Sequence, residues 1–198
     1  MPPPYAVGMI VAVNAPVDAL LEWTRSHPAY AYTVDATELS GSALRRSTLE
    51  IDYDGRIPLE TVRVIDGSGR GTVVTWRAGD RASVRPPGVL HALTIPMSVR
   101  DPRILSPRGN DVRAGIFSRV ADCIAAHAGE ARVEKGTAST AIELRDPAGI
   151  RCGAEDGDGR VTVDRVTLDR DQRPIARERY IGATLVERWV MRDLRVIP

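Results

Sequence analysis

The chain has 198 residues, 43% of them apolar and 27% charged, with a formal net charge of +1. That length supports a real hydrophobic core, and the expectation is a single domain over residues 1–198. The near-neutral charge gives no global field for nucleic acid or an anionic membrane, and two cysteines make no disulfide framework or metal pattern.

The run Ala6 to Val13 is continuously apolar, which predicts a buried strand. Asn14 then suits a helix N-cap, with Pro16 in the first turn. Val17, Leu20, Leu21 and Thr24 follow at helical spacing with Trp23 beside them, and His27-Pro28 ends the helix. The apolar start is too short to span a bilayer and lacks a basic leader. The expectation is a soluble, cytoplasmic protein.

Leu44 to Tyr53 and Ile57 to Ile65 read as strands joined by an Asp54-Gly55 turn. A glycine-rich turn, Asp66 to Gly71, leads into a strand over Thr72 to Arg77. No helix follows it, so a tight turn explains the glycines better than a phosphate cradle. Ala78 to Asn110 is rich in Pro, Gly and Arg and reads as a long crossover, the kind of loop that forms lids or binding surfaces. Asp111 to His127 reads as a helix with Val112, Ile116, Val120, Cys123, Ile124 and His127 on one stripe. Cys123 is core filler on this reading. Gly115 costs such a helix roughly 1 kcal/mol and asks for a close-packing or ligand reason.

Ala131 to Leu144 gives one or two strands, and Asp146-Pro147 and Glu155 to Gly159 are turns. The acidic turn lacks the ligand ladder of a calcium loop. Arg160 to Ile181 is a β-hairpin with Pro174 opening its return strand. There Ile175, Arg177, Arg179 and Ile181 share one face, and Ala176, Glu178 and Tyr180 share the other. Glu178 is either a carboxylate carried into the core, where it needs a cationic partner or a raised pKa, or a strand glutamate facing water. Thr184 to Val190 adds a last strand. The stretch Thr48 to Ile65 echoes Thr167 to Ile181, both placing an arginine (Arg63, Arg179) five residues after a proline.

Nucleophile-elbow, P-loop, dinucleotide and zinc patterns are absent, and the three histidines occupy unrelated contexts. What remains is a set of arginines and one carboxylate, chemistry suited to a small dianionic ligand.

Glu178-Arg-Tyr-Ile-Gly-Ala183 resembles the Glu-x-aromatic-aliphatic-x-Ala/Ser signature of the chorismate pyruvate-lyase family. Leu20-Leu21-Glu22-Trp23, Arg63-Val-Ile-Asp-Gly67 and Ala114-Gly115-Ile116-Phe117 fall in that family's order, although the usual Pro-Leu-Gly is replaced by Val112-Arg113-Ala114. The resemblance implies an α+β fold, an antiparallel sheet of about six strands with helices packed on one side. It implies a lyase releasing pyruvate from chorismate or a relative to leave 4-hydroxybenzoate or a related hydroxybenzoate, with no cofactor and no metal. Glu178 would be the acid/base and Arg63 a carboxylate clamp. Gly115 and Ile116 would bind substrate through backbone N–H groups, and Arg77 or Arg179 would hold the second carboxylate. The implied partner is a small aromatic or pre-aromatic dicarboxylate, with no nucleic acid and no membrane. Two alternatives stand beside it. One is a ligand-binding domain similar to the UTRA domains of GntR-type repressors. The other is a helix-grip polyketide cyclase or lipid binder, whose opening strand and helix Val11 to Trp23 resembles, and which closes on a long C-terminal helix.

Overall fold

A computed structural model describes residues 6–145 and 161–198, with side chains from Ala15 onward. The first helix, α1, runs over Ala6–Ser26 with Pro16 inside it. The strand expected over Ala6 to Val13 is therefore the first half of this helix. An apolar run has no period of its own, and here it joins the amphipathic segment that follows it. Val17, Leu20 and Thr24 of the expected stripe are buried, as is Trp23.

Among the described residues eleven strands form one antiparallel sheet. They are β1 (Ala29–Ser40), β2 (Ala43–Asp54), β3 (Leu59–Asp66), β4 (Val73–Trp76), β5 (Arg81–Arg85), β6 (Ile95–Ser98), β7 (Ala131–Lys135), β8 (Thr140–Arg145), β9 (Val163–Leu168), β10 (Pro174–Ile181) and β11 (Thr184–Val196). Their spatial order is β6-β5-β4-β3-β2-β1-β11-β10-β9-β8-β7. The chain starts at the centre with β1, steps outward to β6, then crosses to the opposite edge at β7. From there it steps back inward until β11 pairs with β1. This corrects the six-strand, chorismate-lyase-like expectation. The supposed Pro-rich crossover holds β5 and β6, and β1 was not expected at all. The last described element, β11, is a strand where the helix-grip alternative expects a long helix.

The segment between β6 and β7 carries the second helix, α2 (Phe117–Ala126), across one sheet face, where it packs on α1. Val17 and Leu20 of α1 and Val120, Ala121 and Ile124 of α2 cover Ile142, Leu144, Val166 and Leu168. Burying each of these large side chains contributes roughly 1.5–3 kcal/mol. An aromatic cluster continues that core over β1: Phe117 lies 4.7 Å from Tyr32 and 4.9 Å from Tyr30, ring centre to ring centre. Trp23 meets Phe117 edge-on at 5.8 Å.

Because every pairing is antiparallel, successive turns alternate between two ends of the sheet. The end reached by the Ser40–Ala43 turn is called distal here. The turns between β3 and β4, β5 and β6, and β10 and β11 lie at that same end.

Candidate functional site: the helix-covered face

Two features occupy the space between sheet and helices. One is a narrow cleft bounded by Leu20, Phe117 and Val120 on the helix side and by Tyr32, Val166, Arg177, Trp189 and Met191 on the sheet side. Its cavity volume is about 10 Å³, room for about one water. The Trp189 indole N–H is buried there with no hydrogen-bond partner.

The other is a buried string of charges continuing from Arg177 toward the distal end. Arg177 donates to both Asp164 oxygens, Nε to Oδ1 at 3.0 Å and Nη2 to Oδ2 at 2.5 Å. Arg179 Nε donates to Asp164 Oδ2 at 3.4 Å, and its Nη1 donates to Asn110 Oδ1 at 3.0 Å and Glu187 Oε2 at 3.3 Å. Asn110 Nδ2 then donates to Glu187 Oε2 at 3.0 Å and Glu38 Oε1 at 3.2 Å. All six side chains are buried. Strand alternation explains the assembly. Glu38 continues Val34 and Ala36, Asp164 shares a face with Val166 and Leu168, and Glu187 shares one with Trp189 and Met191.

The charges set one another's protonation. Burial alone would raise Asp164, but the Arg177 and Arg179 guanidiniums more than offset it and hold the carboxyl below its ordinary value. Burial pushes Glu38 up to about 7, and the neighbouring Glu187 charge adds to that. Hydrogen bonds from Ser106, Asn110 and the Arg108 backbone pull it partly back. On β3, Glu60 is fully buried with neither carboxylate oxygen hydrogen-bonded. Burial, with Asp111 adding to it, drives its pKa well above the usual carboxylate range. Burial thus favours the neutral form of Glu60.

The residues singled out from the sequence are scattered by this architecture. Glu178 stands on the face opposite Arg177 and Arg179, 3.3 Å from Arg188, and accepts a hydrogen bond from the Tyr180 hydroxyl at 3.1 Å. Arg63 pairs with Glu50 at 2.9 Å on the surface, and Arg77 is exposed after β4. Arg179 is the member that enters the buried string. Gly115 and Ile116 are buried where the expected helix breaks into a short turn, Val112–Gly115, ahead of α2. The Gly115 carbonyl accepts the Tyr32 hydroxyl at 2.7 Å. An added Cβ at Gly115 would lie 2.8 Å from the Tyr32 hydroxyl, and 2.9 Å from both Glu60 Oε1 and Ile51 Cδ1. Close packing is thus the reason for the glycine. Cys123 is disulfide-bonded rather than simple core filler. The other cysteine, Cys152, and the turns at 146–147 and 155–159 lie outside the described residues.

The sequence reading missed Glu38, Asn110, Asp164, Arg177 and Glu187. Their signal was available for four of them: a charged residue in phase with the apolar members of a strand. Asn110 carries no such mark, because it lies in a loop.

No protein-family model matches the chain, and no curated protein matches it in sequence. Among solved structures, an uncharacterized conserved protein from Thermus thermophilus is similar at 8% identity with a TM-score of 0.54, over 94% of this chain and 88% of that one. The lipoprotein LppX from Mycobacterium tuberculosis is similar at 11% identity with a TM-score of 0.50, over 93% of this chain and 95% of that one. A LolA superfamily protein from Nitrosomonas europaea aligns over 94% of each chain at 14% identity and a TM-score of 0.43. The likeness to the Thermus protein and to LppX, with the eleven-stranded sheet, overturns the chorismate pyruvate-lyase resemblance. The lyase activity, the hydroxybenzoate product and the UTRA alternative go with it. The chain has the fold of the Thermus protein and of LppX.

Proposed function

We propose that this protein is a non-enzymatic binder of an apolar or amphiphilic small molecule, held between the sheet and the α1–α2 pair. The observation that carries this is the lining of the cleft. Trp189, Met191, Val166, Phe117, Val120 and Leu20 present an apolar surface, with Tyr32 and Arg177 as the polar points. Such a lining, apolar with few polar groups, is what small-molecule sites use. A cavity of about 10 Å³ is closed to a ligand needing roughly 300 Å³ or more. Binding therefore requires the helix pair to move off the sheet, which exposes Trp189.

Titration with 1-anilinonaphthalene-8-sulfonate is expected to give saturable binding that oleate displaces. Intrinsic tryptophan fluorescence should change with occupancy, and Trp189→Phe should remove most of that change. Non-saturating dye uptake, or no displacement by oleate, would refute the reading.

The disulfide at Cys123 supports a working place in an oxidising compartment rather than the cytoplasm expected from the sequence. Protein isolated from its native host under alkylating conditions should carry no free thiol. Quantitative alkylation of Cys123 would restore the cytoplasmic assignment.

A further inference from the structure

Eight large hydrophobic side chains are exposed among the described residues, and six of them lie at the distal end of the sheet: Leu44, Ile65, Val89, Leu90, Leu93 and Leu185. Val89 is 98% exposed, Leu44 57%, Leu93 53% and Leu90 51%. Val89 and Leu90 sit on the short 3-10 turn Gly88–Ala92 between β5 and β6, which buries none of its residues. Scattered exposed leucines need no explanation, but a cluster at one end of a molecule marks a contact surface.

The turns that carry the cluster abut one another. A Cβ on Gly71 would lie 3.1 Å from Pro87 Cβ, and one on Gly67 would lie 2.6 Å from the Arg46 carbonyl. The β3–β4 turn therefore touches both the start of β2 and the loop leading to Val89. On the other side, β11 runs beside β1 with Glu187 opposite Glu38, which sets Leu185 next to the Ser40–Ala43 turn.

Within the described segments that carry the cluster the charge is one-sided. Arg45, Arg46, Arg70 and Arg85 are exposed in the same segments, and Asp66 is the one acid within residues 41–46, 65–71, 85–94 and 182–185. None of the four arginines forms an ion pair among the described residues. Protruding aliphatic side chains among unpaired arginines match the layered chemistry of a bilayer surface, with acyl chains beneath anionic headgroups. A second copy of the chain would bring two cationic ends together. Among the described residues no helix is long and apolar enough to cross a membrane.

We propose that the distal end is a peripheral docking surface for an anionic lipid bilayer. Val89, Leu90 and Leu93 enter the headgroup–acyl boundary while Arg45, Arg46, Arg70 and Arg85 hold the anionic headgroups. The surface is independent of the ligand cleft, since none of these residues lines it.

The test is co-sedimentation with vesicles of phosphatidylcholine alone and of phosphatidylcholine mixed with phosphatidylglycerol. Wild-type protein should bind the anionic vesicles, bind the zwitterionic ones far less, and be released by salt. Each basic residue near an anionic surface contributes about 1 kcal/mol. The quadruple change Arg45→Gln, Arg46→Gln, Arg70→Gln and Arg85→Gln is thus expected to weaken partitioning by a hundredfold or more, ~4 kcal/mol at about 1.4 kcal/mol per tenfold. Val89→Ser, Leu90→Ser and Leu93→Ser together should weaken it about tenfold. All these positions are exposed, so both variants should keep the dye and oleate binding of the cleft, which separates failure here from failure there. Absence of wild-type binding to anionic vesicles overturns the proposal, as does undiminished binding by both variants. Concentration-dependent dimerisation abolished by the serine changes, without vesicle binding, assigns this end to a second copy and overturns it equally.

Discussion

Asp164→Ala is expected to lower stability by about 3–5 kcal/mol, the cost of breaking a buried ion pair from one side. The carboxylate is shared by two buried guanidiniums, Arg177 and Arg179, and both its oxygens are used. Asp164→Asn keeps an acceptor but loses the charge, so its loss should be smaller. Urea denaturation of the three proteins at neutral pH reads the effect directly. The pH dependence has a definite sign. Asp164 is held below its ordinary value in the folded state, so its contribution is present above about pH 4 and is lost as pH falls through the folded value. An alanine variant within 1 kcal/mol of wild type, by the roughly ±0.5 kcal/mol standard of an ordinary surface site, would show that the string does not hold β9, β10 and β11 together.

Glu38→Gln has the opposite expectation. Folded Glu38 keeps its proton up to about pH 7, while the unfolded carboxyl ionises near its ordinary 4.5. Below that lower value both states are protonated and the group is silent. Between the two values folding takes up a proton, so stability falls as pH rises, and above about 7 the fall is complete. The span corresponds to about 3 kcal/mol at 1.36 kcal/mol per unit. Glutamine mimics the neutral acid and lacks this loss. The variant should therefore match wild type in acid and exceed its stability by about 3 kcal/mol near pH 8. The groups that face Glu38 are Glu187 from β11 and Ser106, Arg108 and Asn110 from the crossover, with Arg179 behind Glu187. A stability difference that does not change between acid and alkaline pH would assign the loss to some other group.

Local turn chemistry was legible in the sequence, and so were the hairpins it makes. Asp54-Gly55 joins β2 to β3, and the polar stretch before Pro174 joins β9 to β10, as their residues indicate. Strand alternation also correctly separated Glu178 from Arg177 and Arg179. Which of those two faces turns inward was not legible, because it depends on Asp164, Glu187 and Asn110 arriving from elsewhere in the chain. An arginine face is buried only if countercharges meet it there. The sheet was undercounted for a related reason. Arg81–Arg85 and Ile95–Ser98 are short strands set among prolines and glycines, and their pairing partners, not their own composition, make them strands. The net charge of +1 likewise concealed an end that carries four unpaired arginines, since a sum over the chain has no positions in it.

A sheet that opens outward from its centre finishes, among the described residues, in two borders, β6 and β7. Each border leaves a row of amide and carbonyl groups able to recruit another molecule's backbone. Here β6 has four residues and includes Pro96, which offers no N–H, and β7 sets Arg132, Glu134 and Lys135 along its length. Brevity and proline guard one margin and mixed charge guards the other, so the molecule resists stacking edge to edge into fibres even when its helices lift away.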